Sequence, residues 1–86
     1  MRWKSQLAHR MEMPKDLILG TAIVTINGTD EAYIENYVSL MEYTQEKILI
    51  QARESRIEIH GSCLFIAFFT ESEMKITGKI SGVSYC

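Results

Sequence analysis

The sequence predicts an all-β protein, an antiparallel meander that forms a small β-sandwich or open barrel, with a short α-helix at the N-terminus. From Thr21 to Tyr85, short segments alternate apolar and polar residues, most clearly in Arg56–His60. This period of two is typical of strands with one buried face. The segments recur about every eight to twelve residues with polar turns between them, which indicates hairpins. A chain of 86 residues has room for only one small core.

The N-terminal segment differs in pattern from the rest of the chain. Apolar and basic residues recur there at helical spacing: Trp3, Leu7, Arg10 and Met11. This spacing predicts a helix over about residues 2–11. Pro14 disfavours helical geometry at Met13 and ends the segment. We therefore expect an amphipathic basic helix within residues 1–13 and a single antiparallel β domain over residues 14–86.

The first strands are bounded by residues that favour turns. A strand is predicted from about Leu17 to Ile26, and Asn27-Gly28 begins a turn that extends to Asp30, since both residues tolerate positive φ. A second strand is predicted over Ala32–Tyr37. Residues Val38–Tyr43 either continue that strand past a bend or form a third strand.

The second half of the domain contains four further strand segments. Each is separated from the next by a polar turn or by glycine: Ile48–Ala52, Arg56–His60, Cys63–Phe69 and Met74–Ser81. At Gly82 the apolar phase changes from even to odd positions, which predicts a bulge or bend. Cys63–Phe69 is apolar on both faces, so both faces need cover. The cover is either the rest of the same subunit or an oligomeric or partner interface that includes Phe65 and Phe69.

Charge is distributed unevenly along the chain. Residues 1–16 contain four basic and two acidic residues, a net charge of +2, and the remainder carries −4. An acidic body argues against nucleic-acid binding. The basic segment either covers an edge of the sheet or lies on an anionic membrane surface. The residues expected at that surface are Arg2, Trp3, Lys4, Leu7 and Arg10. No apolar run approaches the length of a membrane-spanning helix, and no secretory signal is recognisable, so we expect a cytoplasmic protein.

The sequence contains no convincing catalytic or metal-binding pattern. His60 and Cys63 form an isolated H-x-x-C, whereas zinc needs three or four protein ligands. Phosphate-binding glycine loops and nucleophile elbows are not recognisable. Alternating tyrosines such as Tyr33, Tyr37 and Tyr43 can stack on sugars but more often form cross-strand pairs. We expect a protein that is not an enzyme and has no metal and no cofactor.

Several short motifs together resemble one protein family. They are Pro14-Lys15-Asp16, Asn27-Gly28, Tyr33-Ile34-Glu35-Asn36, Glu42-Tyr43, Ile57-x-Ile59-x-Gly61 with Leu64, Gly78-x-Ile80 and Val83-x-Tyr85. Over residues 13–85 the chain resembles the YabP/YqfC family of sporulation proteins, most closely on the YqfC side. It departs from the family pattern at Tyr37, where His is frequent, and at Ser55, where Gly is common.

The resemblance implies a function in endospore formation and no known catalysis. It implies a small β protein on the cytoplasmic, mother-cell side, peripheral to the membrane around the forespore, that binds an integral membrane protein of the same programme. The expected partner-binding residues are Tyr33, Glu35, Asn36, Tyr37, Phe65 and Phe69. For Glu35 and Asn36 a structural role at the bend after the second strand remains the alternative. The alternative function is a self-assembling subunit that forms a homo-oligomer through the 63–69 strand or an open sheet edge.

Overall fold

A computed structural model describes residues 21–86 as six β-strands. They are β1 Ile23–Asn27, β2 Glu31–Glu35, β3 Ser39–Tyr43, β4 Lys47–Gln51, β5 Arg56–Phe69 and β6 Glu73–Tyr85. Within residues 21–86 there is no helix, and hence none that could span a membrane. The helix predicted within residues 1–13 lies outside the described residues.

All six strands belong to one open antiparallel sheet with the order β1-β2-β6-β5-β4-β3. The long hairpin β5–β6 lies at its centre. Hairpin β1–β2 pairs with one half of it, because β2 is in register with Glu73–Thr77 of β6. Hairpin β3–β4 pairs with the other half, because β4 is in register with Arg56–His60 of β5. The sheet therefore consists of two half-sheets that share the β5–β6 hairpin.

The two half-sheets meet at a bend in β5 and β6. The register shifts after Ser62, where Cys63 has a φ of 54° and Gly78, on the facing strand, a φ of 125°. A Cβ added at Gly78 would lie 2.4 Å from the carbonyl oxygen of Cys63, and one added at Gly61 would lie 2.0 Å from that of Lys79. Because no side chain fits at these distances, glycine is required for the close contact of the two strands.

The core lies on the inner face of the bent sheet. Four side chains without solvent exposure come from the β2–β6 half: Ala32, Ile34, Met74 and Ile76. Four with at most 1% exposure come from the β4–β5 half: Ile48, Ile50, Ile57 and Ile59. All belong to one cluster with Tyr37, Ala52, Leu64 and Ile80. Because these residues occupy alternate strand positions, each half-sheet buries one face and leaves the other to solvent.

The observed fold confirms the all-β antiparallel prediction and refines its elements. Ser39–Tyr43 forms a separate strand, β3, since Asn36 takes a φ of 65° and bends the chain after β2. Arg56–Phe69 is one continuous strand, although the sequence suggested two segments divided at Gly61. The phase change predicted at Gly82 corresponds to a bulge, because His60 pairs with Gly82 and Gly61 with Ile80.

The tight bend predicts a strong effect of one glycine substitution. We expect Gly78→Ala to lower the free energy of unfolding by about 3 kcal/mol, because the added Cβ meets the Cys63 carbonyl and φ is positive. Urea denaturation followed by circular dichroism measures the change. Gly82→Ala is the matched control, since nothing lies within 4 Å of its added Cβ. Equal stability of the two variants would contradict a glycine-dependent bend.

Candidate binding surface

The outer face of β2 and its neighbours carries a pair of aromatic side chains. Tyr33 and Glu35 point outward because they alternate with the buried Ala32 and Ile34. The Tyr33 hydroxyl donates a hydrogen bond to Oε1 of Glu73 at 3.1 Å. Its ring is parallel to that of Phe68, with centroids 6.5 Å apart. The two rings flank Lys75, which pairs with both residues in the sheet register.

Asn36 has a defined local role at the end of β2. Its backbone N–H donates to the carbonyl of Ser72 at 2.8 Å, and its side-chain amide donates to the carbonyl of Thr21 at 3.2 Å. Asparagine tolerates the positive φ found here better than most residues. The backbone of Asn36 therefore links the end of β2 to the β5–β6 turn, and its side chain links it to the segment just before β1. Its predicted partner-binding role stays a prediction.

Tyr37 lies mainly inside the protein. Only 6% of the residue is exposed. Its hydroxyl lies within hydrogen-bond distance of the carbonyl oxygens of Thr70 and Glu73. Its ring is nearly parallel to that of Phe69, at a centroid distance of 6.3 Å. Tyr37 thus supports Phe69 from within and offers little surface of its own to a partner.

The apolar segment 63–69 is mostly exposed among the described residues. Leu64 is buried with 2% exposure, whereas Phe65, Phe68 and Phe69 are 59%, 41% and 54% exposed. Residues 21–86 therefore leave these phenylalanines uncovered, and cover by the N-terminal segment of the same subunit lies outside the described residues. The reason for the exposure is the bend, because β4 pairs only with Arg56–His60 and does not reach the second half of β5.

The second half of β5 faces the edge strand β3 across a gap that we call the seam, formed by residues 39–43 and 65–69. At one end of the seam, the Tyr43 hydroxyl accepts a hydrogen bond from the N–H of Ile66 at 2.9 Å. At the other end, Tyr37 contacts the carbonyl of Thr70. Since the residue numbers rise along one strand and fall along the other, the two strands run antiparallel. Exposed apolar side chains surround the seam: Val38, Met41, Tyr43, Phe65 and Phe69.

The charged groups near the seam are mainly acidic. Glu42 lies on β3, Glu46 lies in the β3–β4 turn, and Glu71 lies in the β5–β6 turn. Two basic residues lie nearby. The Nζ of Lys47 lies 3.4 Å from Glu42 and 3.6 Å from Glu58, and the Nζ of Lys75, which is opposite Phe68, lies 3.4 Å from Glu31. Both charges are therefore paired with carboxylates, and the acidic residues predominate near the seam.

Sequence reasoning identified Phe65 and Phe69 but missed Tyr43, Met41 and Phe68 as surface residues. Phe68 could have been found, because it belongs to the same two-faced apolar run. Met41 could not, because its exposure depends on a bulge between Leu40 and Glu42 that sequence periodicity does not reveal. The membrane-surface residues predicted in the N-terminal segment lie outside the described residues.

The titratable side chains of residues 21–86 form no group of three or more that could hold a metal ion. His60 lies 3.1 Å from the Ser84 hydroxyl and 3.8 Å from a carboxylate oxygen of Glu58. Cys63 and Cys86 are both exposed free thiols. The features that stand out in the described residues are thus apolar surface and unpaired strand edges.

Comparison with known proteins gives the family. The family model described as YabP family matches residues 20–86, which includes all six strands. The chain belongs to the YabP family. It is 25% identical over 84 residues to the uncharacterized protein YqfC of Bacillus subtilis (strain 168), covering 98% of this chain and 90% of that protein. No solved structure matches the chain. The resemblance noted from the sequence motifs is confirmed.

The contact between Tyr33 and Glu73 predicts an alkaline pH dependence. Desolvation, followed by the hydrogen bond and charge of Glu73, raises the pKa of Tyr33 above its ordinary value of 10.0. The folded state thus favours neutral Tyr33, and this contribution to stability is complete below pH 10.0 and lost as the pH rises through the folded pKa. In Glu73→Gln we expect a lower pKa of Tyr33, measured by tyrosinate absorbance and assigned by difference from Tyr33→Phe.

Glu71→Gln is the control for this titration, because Glu71 lies in the same turn and does not contribute to the raised pKa of Tyr33. An identical tyrosinate titration in Glu73→Gln and in the unmodified protein would show that Glu73 has no influence on Tyr33.

Proposed function

We propose that this YabP-family protein is a non-enzymatic sporulation protein that acts by binding another protein in the mother cell. The proposed partner is an integral membrane protein of the sporulation programme. The observation that supports binding is a group of exposed phenylalanines on β5, which we call the aromatic row. Phe65 and Phe68 lie on the outer face of the sheet, and Phe69, opposite the buried Met74, lies on the inner face. The sporulation context is supported by membership of the YabP family.

The aromatic row suits a binding site on physical grounds. Aromatic residues are enriched among the interface residues that contribute most to affinity. Removing apolar surface from water stabilises a complex by roughly 25 cal/mol per Å². In residues 61–70 no charged residue interrupts this surface. A partner that covers Phe65 and Phe69 would also protect an unpaired edge.

The charge of the domain favours a basic partner segment. Residues 21–86 contain nine acidic and five basic residues. Such a surface repels phosphate-rich nucleic acid and attracts Lys- and Arg-containing segments. Cytoplasmic loops of membrane proteins carry an excess of these residues. The charge thus supports a membrane protein as partner, with the chain on the cytoplasmic side of the membrane around the forespore.

Peripheral contact with the membrane through the N-terminal segment is part of the proposal and rests on the sequence. Arg2, Lys4 and Arg10 can approach anionic headgroups, while Trp3 and Leu7 enter the interface. Each basic residue near such a surface contributes about 1 kcal/mol. Contact through this segment would orient the β domain beside its membrane partner.

Co-purification tests the proposed partner. A C-terminally tagged chain from detergent-solubilised sporulating cells is expected to recover a membrane protein in stoichiometric amount. The triple variant Phe65→Ala/Phe68→Ala/Phe69→Ala should recover at least about tenfold less, since truncated interface aromatics cost more than 1 kcal/mol each. Tyr85→Ala is the matched control, because Tyr85 is equally exposed but lies in the half-sheet away from this row.

Two outcomes of that experiment would contradict the proposal. Absence of any membrane protein from the purified tagged chain would reject the partner class. Unchanged recovery with the triple variant, in a folded state verified by circular dichroism, would reject the aromatic row as the contact. Trp3→Ser/Leu7→Ser tests the N-terminal segment separately, and an unchanged membrane-bound fraction would reject its membrane contact.

A second candidate function, self-assembly into a homo-oligomer, is favoured by the edge strand β1. β1 pairs with β2 without a register shift, and Ile23–Asn27 contains no charged residue. Regular uncharged edges pair readily with other strands. The other edge, β3, contains a bulge and Glu42, which both hinder such pairing.

Sedimentation distinguishes this second function. If β1 joins two copies, the purified chain should form dimers or larger species at high micromolar concentration. Thr25→Lys should then restore the monomer, because antiparallel pairing centred on Thr25 places two lysines opposite each other. Thr77→Lys, on the central strand β6, is the control with the same added charge. A strict monomer in the unmodified protein excludes self-assembly.

A further inference from the structure

We propose that the seam accepts a short extended segment of a partner protein as an added β-strand, apolar over about five residues and flanked at both ends by Lys or Arg. This inference deepens the proposed function and rests on it for the existence of a partner. It specifies the mode of binding, strand addition, and the chemistry of the bound segment.

Both sides of the seam are strand edges. β3 is the last strand of the sheet. Residues 65–69 of β5 pair with β6 on one side, and β4 pairs with β5 only as far as His60. Each edge is five residues long, and the edges run antiparallel. Each edge contains a bulge, at Met41 in β3 and at Ala67 in β5, so an added strand can be hydrogen-bonded by either edge on each side of its bulge.

One backbone donor already points into the seam. The N–H of Ile66 is bonded to the side-chain hydroxyl of Tyr43 at 2.9 Å, whereas in a complete sheet it would bond to a backbone carbonyl. Tyr43 is half exposed, so its side chain can move aside without leaving a buried cavity. The hydroxyl thus occupies a position that an incoming carbonyl can take over.

A side chain bridges the two backbones along the seam. At Tyr43 the hydroxyl of the tyrosine, rather than a backbone carbonyl, accepts the hydrogen bond from the N–H of Ile66. The gap closes towards the β3–β4 turn, where the N–H of Leu64 bonds directly to the carbonyl of Gln45 at 2.8 Å. A strand of about five residues, ~17 Å long, fills the remaining length.

The side chains around the seam determine what the added strand contains. Val38, Met41, Phe65 and Phe69 leave apolar surface to solvent on both sides. Apolar side chains of an added strand would contact these residues and remove their surface from water. Glu46 lies in the turn at the closed end and Glu71 in the turn at the open end. Basic residues on both sides of the apolar segment therefore complement the negative charge of these two turns.

A second copy of this chain is a poor occupant of the seam. Its two edge strands are β1, followed by Asp30 and Glu31, and β3, which contains Glu42 and is followed by Glu46. Placing either edge in the seam would bring carboxylates next to carboxylates, which is unfavourable. Charge thus disfavours the edge strands β1 and β3 of a second copy as the occupant.

A designed peptide tests the inference. The probe is a fluorescent peptide of five alternating Val and Leu residues flanked at each end by two Lys residues, added to the full chain. We expect saturable binding that weakens about tenfold when the lysines are replaced by glutamates, and similarly with Phe65→Ala/Phe69→Ala. Tyr85→Ala should bind as tightly as the unmodified chain.

Hydrogen exchange reports strand addition independently of the variants. With the peptide bound, amides in residues 39–43 and 65–69 should exchange more slowly, Ile66 most of all. Protection of β1 instead, or binding without amide protection at the seam, overturns the inference. Displacement of the probe by a peptide of residues 1–20, or dimers seen by sedimentation whose formation displaces the probe, also overturns it, because the occupant would then be this chain.

Failure of the strand-addition inference can be distinguished from failure of the proposed function. If the membrane partner co-purifies through Phe65, Phe68 and Phe69 but no amide at the seam is protected, the inference fails and the proposed function stands. If the peptide protects the seam but no partner is recovered from cells, the proposed function fails and the seam remains a strand-binding site.

Discussion

The architecture depends on the close contact between β5 and β6 at their bend. Gly61 and Gly78 allow the two backbones to approach where any Cβ would collide with a carbonyl oxygen, and Cys63 takes a positive φ beside them. The bend divides one six-stranded sheet into two halves, each completed by its own hairpin. Without it, the inner isoleucines of the two halves would share no enclosed core, and β4 would continue along β5 and cover its second half.

The exposed surface follows from the same bend. Once β5 leaves β4, residues 65–69 have a neighbour on one side alone, and their aromatic side chains lose the cover that a further strand would provide. Tyr37 and Tyr43 partly compensate by bonding backbone groups across the seam with their hydroxyls. The two tyrosine hydroxyls thus make some of the backbone hydrogen bonds that a neighbouring strand would make in a closed barrel, while the apolar surface stays accessible.

Sequence reasoning gave the strand positions well because period-two patterning directly reflects a half-buried sheet. It misjudged structural features that depend on contacts between residues far apart in the sequence. Gly61 suggested a break, yet its role is to let β6 approach a continuous strand. For the apolar run 63–69, the sequence left open whether the same subunit or a partner covers it, since periodicity does not show where β4 stops. Tyr37 was chosen as a surface residue within a family motif, but the bend after Asn36 turns it inward.

Edge protection differs between the strands in a way that bears on function. β3 has a bulge and Glu42, two features that discourage unwanted strand pairing. The facing half of β5 also contains a bulge, at Ala67, but it has neither a charge nor a proline and exposes three phenylalanines. A single lysine there would reduce the aggregation hazard at little cost to the core, because these side chains are already half in solvent. Retaining phenylalanine at these positions is consistent with a surface used for contact, with β3 limiting which strands can enter beside it.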